Sequence, residues 1–132
     1  MQGSGTQKSE AVTRGIRVTV TSTFSHVEAR HNRWLFKYSV RIANEGTETA
    51  QLVSRHWIIT NGANATEEIK GPGVVGQQPT LDPGQVFEYS SGCPLATPFG
   101  TMRGTYQMVT ADGTEFDVEI AEFLLTEPYT VH

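Results

Sequence analysis

Residues 34–42 have the sequence WLFKYSVRI, in which apolar and polar side chains alternate with a period of two. One face of this stretch carries large aromatic and β-branched side chains: Trp34, Phe36, Tyr38, Val40 and Ile42. The opposite face carries Lys37, Ser39 and Arg41. This alternation indicates a long antiparallel strand with one face on a hydrophobic core and the other in water.

The same period of two recurs elsewhere in the chain. Residues 16–20 and 116–120 alternate apolar with polar positions, and residues 102–110 lead into the hairpin-favouring pair Asp112–Gly113. No window keeps a helical period. We therefore predict an all-β fold, an immunoglobulin/fibronectin type III-like β-sandwich of seven to eight antiparallel strands. The fibronectin arrangement is preferred because the immunoglobulin Cys…Trp…Cys pattern is absent.

Residues 50–60, AQLVSRHWIIT, also predict a strand, but its apolar positions do not share one face. Leu52 has the parity of Ile58, whereas Val53 has the parity of Trp57 and Ile59. Either both faces of this strand are covered, or a β-bulge changes the phase partway along it.

The length of 132 residues predicts a single domain. Residues 1–12 are polar and rich in Gly, Ser and Gln, so we expect a flexible N-terminal segment followed by one domain over residues 13–132. Neither a signal peptide nor a membrane span is apparent. The single cysteine, Cys93, fits a reducing compartment, and we expect a cytoplasmic protein.

The net charge of −4 argues against nucleic-acid binding, which depends on neutralising phosphates. The charge is unevenly distributed along the chain. Arg103 is the only Lys or Arg after residue 70. A lone cation in an acidic half draws attention as a candidate anion ligand.

Residues 71–76, GPGVVG, match the GxGxxG pattern of dinucleotide-binding folds. In those folds a helix begins at the string, but Pro79 and Pro83 leave no room for one here. We therefore exclude a dinucleotide fold. Backbone N–H groups of Gly71, Gly73 and Gly76 could still form an anion-binding nest, with Arg103 as its cation. Alternatively, the glycines only shape a turn and Arg103 is a solvated strand residue.

Four longer strings carry a family resemblance: SRHWIITN (54–61), GPGVVGQQPTLDPGQVFEYSSGCPL (71–95), TPFGTMRGTYQMV (97–109) and EFDVEIAEFLL (115–125). Together they resemble the ApaG family, also called CorD, from about residue 16 to residue 132. The domain predicted over residues 13–132 is accordingly identified as an ApaG domain. Pro72 departs from the family pattern, in which an acidic residue is expected between the glycines.

The resemblance implies a fibronectin-like sandwich in the bacterial cytosol and a link to cobalt and magnesium efflux. It also implies a gene neighbourhood shared with diadenosine tetraphosphate hydrolysis. Eukaryotic relatives carry the domain beside F-box or polymerase-interaction modules, which implies contact with other proteins. The family supplies no agreed catalytic residues.

Arg55, His56 and Trp57 place polar groups inside an apolar strand. They are a candidate partner-binding surface with an exposed Trp and Arg. In the alternative interpretation, His56 is hydrogen-bonded across the sheet and Trp57 belongs to the core.

Catalytic and metal sites find little support in the sequence. Cys93 has no histidine near it in the sequence, and Ser90 and Ser91 lack a nucleophile elbow. His26, Glu28 and His31 have no standard ligand spacing and are interpreted as surface residues. We therefore predict no enzyme activity, no metal site and no cofactor.

Three hypotheses follow for the function. The first is a non-enzymatic ApaG-type accessory module that binds a partner protein, as yet unknown, through the glycine-rich loops. The second is a sensor of phosphate, pyrophosphate or a nucleotide, using the GxGxxG string. The third is a direct binder of divalent metal. The sequence leaves open whether the protein is a monomer or a homodimer.

Overall fold

A computed structural model describes residues 6–128, which form nine strands and a short 3₁₀ turn at Ala29–His31. The strands are β1 (Gln7–Thr13), β2 (Ile16–Glu28), β3 (Arg33–Asn44), β4 (Ala50–Asn61), β5 (Thr66–Pro72), β6 (Thr80–Leu81), β7 (Val86–Leu95), β8 (Phe99–Thr110) and β9 (Glu115–Thr126). Within this described range, no helix is long and apolar enough to cross a membrane.

The strands pair antiparallel into two sheets that pack face to face. One sheet has the order β1-β2-β3-β7, and the other has the order β5-β4-β8-β9 with β6 also paired to β4. The predicted all-β sandwich is confirmed. The strand count exceeds the predicted seven to eight because β1 and the two-residue β6 were not expected.

The sequence predicts a flexible segment over residues 1–12, and for residues 7–12 this prediction is wrong. Residues 7–12 belong to β1, which pairs with β2 in a continuous register that brings Ser9 opposite Val20. The segment is held by backbone pairing and by the hydrogen bonds of Ser9 and Thr13 to β9. The sequence does not predict a strand here because it lacks the apolar alternation of the other strands. Residues 1–5 and 129–132 of the predicted segments lie outside the described residues.

Trp57 lies at the centre of the core between the sheets. Its side chain is 2% exposed, and its ring has edge contacts with Tyr38 (5.4 Å between centroids), Phe123 (6.0 Å) and Tyr106 (6.3 Å). Aromatic contacts from both sheets therefore meet on one indole ring, as expected for a sandwich core.

A β-bulge in β4 explains the mixed parity of residues 50–60. The register with β8 shifts between Leu52 and Ser54, which leaves Val53 as the extra residue. After the shift, Arg55, Trp57 and Ile59 face the interior and His56 faces outward. The bulge is therefore the alternative that the structure confirms, and it turns the Arg55 side chain towards the space between the sheets.

The two lateral sides of the sandwich differ. On the side formed by β1, β2 and β9, which we call the closed side, three hydrogen bonds join the sheets: Ser9 Oγ to the Ala121 carbonyl (2.8 Å), Ser22 Oγ to the Leu124 carbonyl (2.6 Å) and the Glu119 N–H to Thr13 Oγ1 (3.1 Å). The opposite side, which we call the open side, is flanked by β5 and β7, the last strands of their sheets. A cleft runs between these two edge strands.

Candidate functional site

The open-side cleft has a volume of about 360 Å³ and draws its lining from both sheets. Its apolar and aromatic lining includes Tyr38, Trp57, Val74, Tyr89 and Met102. Its polar lining includes Arg55, Glu67, Ser91 and Cys93. A concave, mostly apolar cavity with a few polar groups is the usual form of a binding site.

Arg55 supplies the positive charge of this cleft. Its Nη1 donates hydrogen bonds of 2.9 Å to the carbonyl oxygens of both Pro72 and Gly73. Gly71 lies against the same guanidinium, so a Cβ built at this glycine would be 3.1 Å from Nη2. No carboxylate among residues 6–128 forms an ion pair with Arg55. The guanidinium is therefore fixed by backbone carbonyls, and its charge is not neutralised by an acid.

Three tyrosines surround Arg55 as neutral phenols. Burial raises the pKa of Tyr38, Tyr89 and Tyr106 above the ordinary value. The positive charge of Arg55 lowers the pKa of each tyrosine, but by less than burial raises it. Because the phenols keep their protons at neutral pH, they offer hydrogen bonds and no negative charge to Arg55.

Cys93 is the one thiol of the cleft lining and is suited to packing. It is 4% exposed, and burial, followed by the nearby charge of Glu67, raises the pKa of its thiol to about 12. A nucleophilic cysteine requires a lowered thiol pKa and a positive environment. Cys93 therefore remains a protonated, unreactive side chain at neutral pH.

The glycine string forms a tight turn along the edge of β4. The N–H of Gly73 donates to the Val53 carbonyl (2.8 Å), and Val74 and Gln77 exchange hydrogen bonds of 2.8 and 2.9 Å. Val75 and Gly76 between them both have positive φ, 42° and 80°, as in a type I′ turn. The N–H groups of Gly73 and Val74 are thus committed to the protein's own carbonyls, which removes Gly73 from the three donors expected of an anion nest.

The structure does not bring Arg103 to the glycine string. Arg103 is an exposed residue of β8 opposite Ile58 of β4, on the outer face of the sheet. Gly71 pairs with Arg55 on the other edge of β4. The width of β4 therefore separates Arg103 from the string, and Arg55 stands where Arg103 was expected. Whether the string binds an anion stays a prediction.

The predicted partner-binding trio is divided between two faces of the sheet. His56 Nε2 lies 2.7 Å from Glu68 Oε1 on the outer face. Trp57 is a core residue and cannot act as an exposed anchor, so this part of the prediction is corrected. The physical reason is the bulge, which puts Trp57 and Arg55 inward together. Of the three, Arg55 and Trp57 line the cleft, whereas His56 does not.

Of the three metal candidates considered in the sequence, Glu28 and His31 contact each other, whereas His26 Nδ1 lies 2.9 Å from Ser25 Oγ. Glu28 accepts hydrogen bonds from Arg33 Nη2 (2.9 Å) and contacts His31 Nδ1 (3.0 Å). Arg33, and to a lesser degree His31, lowers the pKa of the Glu28 carboxyl. Across residues 6–128 no three His, Cys, Asp or Glu side chains are grouped so as to hold a metal ion. Direct metal binding stays a prediction that no described cluster favours.

Comparison with known proteins places the chain among ApaG proteins. The family described as "ApaG domain" matches residues 25–110. Protein ApaG of Anaeromyxobacter dehalogenans is 58% identical over 120 residues, covering 91% of this chain and 96% of the relative. A crystal structure described as the ApaA protein of Bordetella pertussis superposes with a TM-score of 0.82 at 50% identity, covering 93% and 98% of the two chains. The structural-genomics target SoR45 superposes with a TM-score of 0.85 at 41% identity, covering 89% and 91%.

Proposed function

The chain belongs to the ApaG domain family, and on that premise we propose that it is a non-enzymatic accessory module that binds an extended segment of a partner protein at its open side. The observation that carries this proposal is the pair of edge strands, β5 and β7, that flank an apolar cleft. Edge strands present unpaired backbone donors and acceptors to which an extended peptide adds as another strand.

Strand β5 has the features of a receiving edge. Its burial pattern is exposed at every position except Gly71, and it pairs with β4 alone. Ile69 on this strand is 38% exposed, and Val75 in the adjoining turn is 53% exposed. Exposed apolar side chains beside a free backbone edge supply both parts of strand addition: backbone hydrogen bonds for affinity and side-chain contacts for selectivity.

The chemistry of the cleft lining supports binding rather than catalysis. Cys93 is held as a thiol and the tyrosines are held as phenols, so none of them is activated as a nucleophile or a base near neutral pH. The guanidinium of Arg55 is a hydrogen-bond donor held in place by the carbonyl oxygens of Pro72 and Gly73.

We further propose that the module acts in the cytoplasm, where the buried thiol of Cys93 would stay reduced. Any connection with cobalt and magnesium efflux would then be indirect. The partner, rather than this chain, would be the component that meets the metal.

Selection of peptides tests the proposed function directly. The full chain is used to select from a displayed library of random heptapeptides, and the enriched peptides are titrated into ¹⁵N-labelled protein. We expect micromolar peptides whose amide shift changes cluster on β5, β7 and the turn at Val75. Failure to enrich any peptide, or shift changes confined to the closed side, would contradict the proposal.

Two matched variants place a lysine on either side of the sandwich. Val75→Lys at the cleft should weaken the selected peptides, whereas Leu124→Lys on β9 should not, although Leu124 is 49% exposed and equally apolar. Sedimentation of the free protein at the titration concentrations shows whether the chain self-associates, which occupation of the β5 edge by a second copy would require.

A second candidate function is a sensor of phosphate, pyrophosphate or a nucleotide that carries them. The specific observation in its favour is the guanidinium of Arg55 beside Gly71 and Gly73. Titration calorimetry with pyrophosphate on wild type, Arg55→Ala and Arg103→Ala distinguishes the two arginines. Heat that disappears only in Arg55→Ala would support this candidate, and no heat at millimolar ligand would remove it.

A further inference from the structure

We propose that Arg55 is the receptor for a carboxylate, and that the segment bound at the open side carries an Asp or Glu side chain that enters the cleft and pairs with this guanidinium. The inference rests on the proposed function and adds the chemistry by which the partner is chosen. It assigns to Arg55 a role that its place in the sequence does not reveal.

The hydrogen bonds of Arg55 leave part of its guanidinium available. Nη1 is held by the carbonyl oxygens of Pro72 and Gly73. The donors on Nη2 and Nε make no hydrogen bond to any described residue. A guanidinium fixed on one side and available on the other is pre-organised for a bidentate contact with a planar acid.

The surroundings of Arg55 make an incoming anion favourable. The guanidinium is half-buried among aromatic side chains, where water screens its charge less than at a fully exposed site. The neighbouring phenols of Tyr38 and Tyr89 are neutral and cannot compensate the charge. Since a partly desolvated cation without an acid partner costs free energy, a ligand that brings one negative charge gains the interaction that the protein itself lacks.

The charges of the cleft favour a carboxylate over a phosphate. Arg55 is the one cation in the described lining, and Glu67 is an acid at the same cleft. A carboxylate carries one charge and matches one guanidinium. A phosphate monoester carries between 1.5 and 2 charges at about pH 7, so its remaining charge would face Glu67 without a partner. The same repulsion applies more strongly to pyrophosphate.

The position of Arg55 also fits a peptide lying along β5. Arg55 is paired in register with Gly71 of β5, and the missing side chain at Gly71 exposes the guanidinium to that edge. A side chain reaching inward from an added strand would meet Arg55 where β5 gives way to the glycine turn. The acid is therefore expected at one fixed position of the bound segment.

The heptapeptide selection described above provides the test, repeated with Arg55→Gln and with Arg30→Gln. Arg30 is an exposed arginine of the 3₁₀ turn and serves as a control for net charge. We expect peptides selected by wild type and by Arg30→Gln to carry Asp or Glu at one position, and this preference to vanish with Arg55→Gln. Replacing the acid of a selected peptide by its amide should weaken binding to wild type about ten- to a hundredfold, the usual size of one charge-assisted pair. Replacement by phosphoserine should not strengthen it.

Each outcome bears on one proposal or on both. Peptides that bind the open side without an acid preference, or with a preference that persists in Arg55→Gln, overturn the carboxylate inference and leave the proposed function standing. Tighter binding of the phosphoserine peptide overturns the assignment to a carboxylate. Failure to select any peptide overturns both. Thermal unfolding of Arg55→Gln, followed by circular dichroism, shows that the variant is folded, and Arg55→Lys, which keeps the charge without the planar fork, should retain a weakened acid preference.

Discussion

The hydroxyl of Tyr89 on β7 is hydrogen-bonded to the hydroxyl of Tyr106 on β8, so a single polar contact joins the two sheets beside the open cleft. The two partners differ in their surroundings. Tyr106 is 0% exposed, whereas Tyr89 is half-buried. Removing either hydroxyl leaves the other without its partner, but only one of the remaining hydroxyls can reach water.

This difference predicts unequal costs for the two Phe substitutions. Tyr89→Phe leaves the fully buried hydroxyl of Tyr106 without a partner and should lower the free energy of unfolding by roughly 1–3 kcal/mol. Tyr106→Phe should lower it by less. The double variant should cost less than the sum of the two, because it leaves no unpaired hydroxyl. Urea denaturation of wild type, the two single variants and the double variant gives the loss of stability for each variant. Equal single costs that add without coupling would contradict the prediction.

Gly73 is expected to be the least replaceable glycine of the GxGxxG string. Its φ is +59°, and a Cβ at this position would lie 2.2 Å from the Gln77 carbonyl oxygen. Gly73→Ala should therefore cost more than the roughly 1–2 kcal/mol of a left-handed backbone alone. Gly76→Ala is the matched control, since Gly76 has φ +80° and nothing within 4 Å of its Cβ position. Denaturant unfolding should show the larger loss at Gly73, and similar losses would argue against a steric requirement.

Val75 is a β-branched residue with φ +42°, a backbone conformation that such side chains rarely adopt. Val75→Asn should raise the free energy of unfolding by about 1 kcal/mol, because Asn tolerates this region. Val86→Asn is the control, since Val86 is an exposed valine of β7 without a positive φ. It should lower stability, as Asn is unfavourable in strands. The same Val75→Asn variant should bind selected peptides more weakly, because Val75 lines the cleft.

The raised thiol pKa of Cys93 predicts that the free energy of unfolding falls at alkaline pH. Its thiol pKa in the folded protein is raised to about 12 from an ordinary value of 9.0. The folded state therefore holds this proton more tightly, and its stabilising effect is complete below pH 9 and is lost as the pH rises from 9 towards 12. Over that interval wild type should lose up to about 1.4 kcal/mol per pH unit more than Cys93→Ala.

The measurement is urea unfolding of the two proteins at pH 8, 9.5 and 10.5 under reducing conditions. Tyr89 and Tyr106, whose pKa values are also raised, contribute alike to both proteins and cancel in the difference. Tyr38 cancels less completely, because Cys93 is a minor cause of its raised pKa. Parallel pH profiles would show that the thiol is not protected. Slow alkylation of the native protein by iodoacetamide at pH 8 checks the same point independently.

The sheets themselves could be predicted from local alternation, because β-branched and aromatic residues such as those of β3 face one core. The position of the bulge could not. Leu52 and Val53 are both apolar, so either could face inward, and the choice depends on pairing with Met108 on a distant strand. The bulge in turn decides that Arg55 faces the cleft.

The sequence analysis names Arg103 as the cation of the candidate site, and this differs from the structure for a related reason. Arg103 is conspicuous in the sequence because it is the only Lys or Arg after residue 70. The cation that contacts the glycine string is instead Arg55, sixteen residues before Gly71, because β4 and β5 pair in register. Such proximity depends on strand order, which a charge count along the chain does not contain. The hydrogen bonds that make Gly73 structural are equally non-local.

The closed side has a practical consequence for handling this protein. Gln7 at the start of β1 pairs with Ser22, and Ser22 also bonds to Leu124 near the end of β9, so the first and last strands meet there. Linkers, surface tethers or fluorescent fusions attached beyond these strands would sit across the sandwich from Arg55. A circular permutant that joins β9 to β1 and reopens the chain at the Asp112–Gly113 hairpin would likewise leave both rims of the cleft intact. Attachment at the closed side would therefore leave the proposed peptide site facing away from the support.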